Sequence, residues 1–90
     1  MSEGLHRDLS EVVRRLMDRA TDDQPRTGVA LARALASHSP VVSNKLRGRR
    51  RWSLEDFFAL AQAYDLTPGA LAEMMTEVRT HRERLDTITG

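Results

Sequence analysis

Apolar residues in this chain recur three and four positions apart, and nowhere do they alternate in the manner of a strand. That spacing lays a stripe along one side of a helix, so the pattern predicts an all-α fold. Over residues 4–20, Leu5, Leu9, Val12, Val13, Leu16 and Met17 make the first stripe. Residues 21–25 form a polar connector, and Pro25 stops any continuation. Thr27 is placed to cap a second helix carrying Leu31 and Leu35, which ends near Ala36. After the turn 37–39, Ser39 followed by Pro40 marks a third start, because proline at the first helical position leaves no amide unpaired. Val42 and Leu46 give that helix a narrow apolar face, and Gly48 is a natural stop. Ser53 caps a fourth helix with Glu55 and Asp56 in its first turn, and Thr67-Pro68 opens a fifth.

At 90 residues the chain has room for one domain with one modest core. Without cysteine it has no disulfide framework and no thiolate metal site. Its first residues carry charges with no apolar run behind them, which is not the pattern of a signal peptide, and no apolar stretch approaches the roughly 20 residues that span a bilayer. A cytoplasmic setting, the nucleoid of a bacterium or a phage-infected cell, is expected, with no membrane partner.

The net charge of +1 conceals a sharp segregation. No Asp or Glu lies between Asp23 and Glu55, while that window holds Arg26, Arg33, Lys45, Arg47, Arg49, Arg50 and Arg51, a local +7. The rest of the chain sums to −6. A positive segment between two acidic ones builds the local field that a polyanion site needs.

Residues 27–46 sharpen this expectation. A short helix, a three-residue turn and a second short helix end in a triple-arginine loop. A helix enters the major groove only if one side docks on its own protein while the other offers donors and acceptors. Val42 and Leu46 suit docking, and Ser39, Asn44 and Lys45 suit reading.

These segments resemble the phage-repressor, or Cro-type (XRE), helix-turn-helix family. The resemblance is carried by Thr27-Gly28-Val29-Ala30-Leu31-Ala32-Arg33-Ala34-Leu35, Val42-Ser43-Asn44-Lys45-Leu46-Arg47-Gly48-Arg49-Arg50, the run from Ser53 to Tyr64, and Leu66-Thr67-Pro68-Gly69-Ala70-Leu71. It implies a five-helix repressor-like domain over residues 1–75 with a helical extension over 76–90. It places Ser39, Pro40, Val41, Asn44 and Lys45 toward bases. Arg47, Arg49, Arg50 and Arg51 fall where a phosphate-contacting loop begins, and Arg26, Thr27 and Ser43 are further phosphate candidates. Two positions depart from the family pattern. Gly28 stands where a phosphate-clamping Gln is common, and Ala36 stands where the turn usually has a left-handed Gly.

The tail adds a heptad-like seam of Leu71, Met74, Val78, His81, Leu85 and Ile88. Met74, Val78, His81, Leu85 and Ile88 are therefore candidates for pairing two copies; the seam's first members also serve the core, and the alternative is a tail that folds back on the first helix or frays after Arg84. The expectation is a double-stranded-DNA-binding transcriptional regulator, a repressor acting as a homodimer. The alternative is a helix-turn-helix-fold interaction module, an adaptor or antitoxin-like protein without specific DNA binding. The three histidines lack metal spacing, and no nucleophile–base set or glycine-rich phosphate loop is present. Neither an enzyme nor a cofactor, a metal or a small-molecule ligand is implied.

Overall fold

The computed structural model describes the backbone of residues 3–89 and the side chains of residues 4–87. It is all-α: α1 (Glu3–Arg19), α2 (Gly28–Ala34), α3 (Ser39–Leu46), α4 (Leu54–Ala63) and α5 (Pro68–Thr89). Among the described residues there is no strand, and no helix is long and apolar enough to cross a membrane.

The starts follow the capping chemistry. Thr27 accepts from the Ala30 amide at 3.1 Å, and Thr67 accepts from Ala70 at 3.0 Å. Ser53 and Asp56 close a reciprocal box, with Ser53 accepting from the Asp56 amide and Asp56 from the Ser53 amide. At α3 the expected cap shifts by one: His38 occupies the cap position without a side-chain hydrogen bond, Ser39 is already helical and Pro40 follows it.

The stops are three copies of one device. After α2, the Ser37 amide donates to the Ala32 carbonyl and the Ala36 amide to Arg33. Arg49 to Asn44 with Gly48 to Lys45, and Leu66 to Ala61 with Asp65 to Gln62, repeat the pattern after α3 and α4. Each needs a left-handed residue, and Ala36 (φ 49°), Gly48 (φ 78°) and Asp65 (φ 55°) supply it. The turn between α2 and α3 thus keeps the left-handed geometry although it carries alanine. Ala36→Gly is expected to raise stability by about 1 kcal/mol, because the Cβ penalty disappears. A urea midpoint equal to or below the parent's would show that this turn carries no such strain.

One core joins all five helices. Leu9, Val12 and Val13 of α1 meet Leu31 of α2, Val42 of α3, Leu60 of α4 and Leu71, Met75 and Val78 of α5, with Trp52 and Tyr64 closing its edges. The Tyr64 hydroxyl donates to the Pro25 carbonyl at 2.8 Å, tying down the α1–α2 connector, and burial pushes its pKa up to about 12.

The tail is part of this core. Helix α5 runs past residue 75 without a break and packs along α1. Asp8, fully buried, accepts from Arg79 at 3.1 Å and from Arg82 at 2.7 Å, and Arg82 also reaches Glu11 at 2.9 Å. The expected boundary at residue 75 is therefore corrected: residues beyond it clamp α1. The first part of the expected pairing seam is taken up by the same contact. Val78 is 3% exposed within the core, so it is not available to a second chain, and Met74 is half-buried against the same cluster. His81 is exposed and Leu85 is 48% exposed, while the side chain of Ile88 lies outside the described residues.

Candidate nucleic-acid interface

Helix α3 shows one face to the core and another to solvent. Val42 is fully buried and Leu46 packs at the core edge, so the apolar pair docks the helix as its spacing requires. Around the opposite side, Pro40 and Arg47 are exposed, and Ser39, Val41, Ser43 and Asn44 are half-buried. Pro40, Ser43, Asn44 and Arg47 share the outer face, and Ser39 and Val41 flank it beside the docking residues.

Lys45 is not among them. Its ammonium lies 2.5 Å from Asp56 Oδ2 and 5.9 Å from the centre of the Trp52 ring, and only 11% of its side chain is exposed. Lys45 stands three positions after Val42, so the helix turns it inward. The expectation that it reads bases is corrected: it is a structural cation joining α3 to the start of α4. Burial pushes the Asp56 carboxyl up, but the Lys45 hydrogen bond and charge, with the Ser53 amide and hydroxyl, outweigh that and hold it below its ordinary 3.8.

The arginine loop leaves α3 at Gly48 and is pinned from below by a polar stripe on α1. His6, Ser10 and Arg14 lie four residues apart on one face. His6 Nδ1 accepts from the Trp52 amide at 3.0 Å. Ser10 accepts from the Trp52 indole at 2.8 Å and donates to the Lys45 carbonyl at 2.8 Å. Arg14 donates to the Leu46 carbonyl. Trp52 is thereby held as a buried wedge, 3% exposed, with Arg49, Arg50 and Arg51 outside it.

Between this stripe and the loop runs a groove of about 540 Å³. Arg7 and Arg14 stand on the α1 side, Arg47, Arg49, Arg50 and Arg51 on the other, and among the described side chains no acidic residue lines it. Arg7 and Arg14 lie outside the acid-free window, among Asp8 and Glu11, and so escape a reading of charge by segment. Their seven-residue spacing puts them on one face, while Asp8 and Glu11, the latter one turn from Arg7, are drawn to Arg79 and Arg82 of α5.

Pairing separates the arginines. Arg15 meets Glu11 at 3.2 Å, and Arg26 meets Asp22 at 2.6 Å beside the α2 cap. Arg26 is therefore partly neutralised where it was expected to grip phosphate, and the Thr27 hydroxyl is committed to its cap. Among the described residues, Arg47, Arg49, Arg50 and Arg51 make no ion pair. Among the described residues no group of three His, Cys, Asp or Glu side chains is arranged to hold a metal ion. No protein-family model, no curated protein and no solved structure matches the chain.

Proposed function

We propose that this chain is a double-stranded-DNA-binding regulator of the helix-turn-helix kind, with α3 in the major groove and the arginine loop on phosphates. One observation carries the reading: α3 docks on the core through Val42, Lys45 and Leu46 and turns Ser39, Pro40, Ser43, Asn44 and Arg47 outward, directly before exposed arginines without ion pairs among the described residues. Phosphate contacts supply affinity and base-edge contacts supply choice. With Lys45 turned inward and Pro40 lacking an amide donor, direct reading rests on Asn44 and Ser39, and the shape of the duplex carries the rest. One such helix spans few base pairs, so two copies on a two-fold site are proposed.

Mobility shifts on random and selected duplexes test this. A dimer touching about 6–10 phosphates loses about 10³–10⁵ in affinity between 50 and 200 mM salt. Alanine at Arg49, Arg50 and Arg51 weakens all duplexes alike, whereas Asn44→Ala costs about 1–3 kcal/mol on the selected site and less on random DNA. No shift on any duplex at 50 mM salt overturns the reading.

A second reading has its own observation. Leu54 and Phe58, one turn apart on α4, are 65% and 50% exposed, the kind of apolar surface that a protein partner covers. An interaction module of this fold would keep its partner and fail to shift any duplex.

A further inference from the structure

Six guanidinium groups around one groove repel one another, and among the described side chains nothing acidic in the lining relieves them. Elsewhere on α1 and α5 the same chain places carboxylates within 3.2 Å of its arginines. The groove is not a by-product of disorder in the loop. His6 and Ser10 fix Trp52 beneath the loop, and Arg14 is held on the carbonyl of Leu46, so the loop's backbone is tied to α1 before any ligand arrives. A guanidinium presents a planar fork of donors that matches two oxygens of one phosphate. A run of three phosphoryl groups carries about −4 at neutral pH, one charge on each group and about one more at the ends, and so offsets about two-thirds of the six arginine charges. The volume suits a ligand of that size, since small-molecule sites run from about 300 to 1,000 Å³.

We infer that the groove between α1 and the α3–α4 loop is a binding site for a run of adjacent phosphoryl groups, held by Arg7 and Arg14 on one side and Arg47, Arg49, Arg50 and Arg51 on the other. Such a run comes either from the polyphosphate tail of a small molecule or from consecutive phosphates of a nucleic-acid strand. Both present anionic phosphoryl oxygens to the guanidinium forks, and they differ in spacing and in charge per group. The site stands on anion recognition and does not require α3 to read bases.

The test uses the full chain and inorganic tripolyphosphate in a calorimetric titration at 50 mM salt. The expected result is saturable binding of one tripolyphosphate per chain. Arg7→Gln with Arg14→Gln weakens it about tenfold or more. Arg19→Gln with Arg84→Gln removes the same charge away from the groove and weakens it by less than about threefold. Arg7→Gln alone, which breaks no hydrogen bond among the described residues, gives an intermediate loss with an unchanged helical circular dichroism signal. Displacement of tripolyphosphate by duplex assigns the site to the nucleic-acid footprint, and binding of both together assigns it to a free polyphosphate. If tripolyphosphate does not saturate but the Arg7/Arg14 variant alone loses about tenfold on duplex, the run belongs to the strand. Tripolyphosphate binding with no duplex shift keeps the groove and removes the DNA reading. The inference is overturned if tripolyphosphate fails to saturate at millimolar concentration while both double variants bind duplex as the parent does. It is equally overturned if the Arg19/Arg84 variant loses as much as the groove variant, which means a diffuse field and no site.

Discussion

Lys45→Ala is expected to cost about 3–5 kcal/mol of stability, the usual result of removing one member of a buried ion pair. Only 11% of each side chain is exposed, so the Asp56 carboxylate left behind has little water to turn to. Natural domains are stable by about 5–15 kcal/mol, and a loss of this size moves the urea midpoint far down. The pH dependence follows from the direction of the Asp56 shift. Its carboxyl titrates below 3.8 when folded, so its contribution is complete above about pH 3.8 and disappears as pH falls through the lowered value. Lys45→Ala removes the principal counterweight to burial, raises the folded pKa, and starts acid unfolding at a higher pH. Lys45→Met with Asp56→Asn restores much of the loss, because both charges leave together and the amide oxygen still accepts from Ser53. A Lys45→Ala variant within about 0.5 kcal/mol of the parent shows a surface lysine, and returns Lys45 to the candidates for base contact.

The same lysine shows where legibility ended. Helix number, order and most starts were readable, because Thr27, Ser53 and Thr67 are local signals that act through their own backbone. Ala36 stands where a left-handed glycine is expected, and its φ of 49° follows from hydrogen bonds that demand a left-handed residue whatever its side chain. The charge of Lys45 suggests solvent, while its position three residues beyond Val42 puts it on the docking face. Its partner, Asp56, is 11 residues away on another helix, which no local pattern displays. The arginine loop was legible as a charge run, and half of its groove was not. Arg7 and Arg14 sit on a helix of mixed charge, and two of its acids, Asp8 and Glu11, are occupied by α5. Only folding shows which of its charges are taken up and which line the groove.

The tail gives the other large effect, and it tests how α5 is used. Val78→Asp is expected to unfold the domain, with a loss of at least about 4 kcal/mol, because a carboxylate would enter a site that is 3% exposed among apolar neighbours. No cation is close at hand to pair with it, since Arg79 and Arg82 are held by Asp8 and Glu11. Leu85→Asp, at a position 48% exposed, is expected to cost about 1 kcal/mol or less. Both residues lie on the heptad-like seam, so a pairing helix predicts comparable losses of association for both, with helical content kept. A helix clamped on α1 predicts collapse at Val78 and tolerance at Leu85. Circular dichroism and sedimentation of the two variants separate these outcomes. Association lost in a folded Leu85→Asp variant places the contact between copies on the exposed end of α5, beyond the Arg82 clamp. A Val78→Asp variant with the parent's helical signal and urea midpoint means that α5 does not rest on α1, and the clamp formed by Asp8 is then wrong.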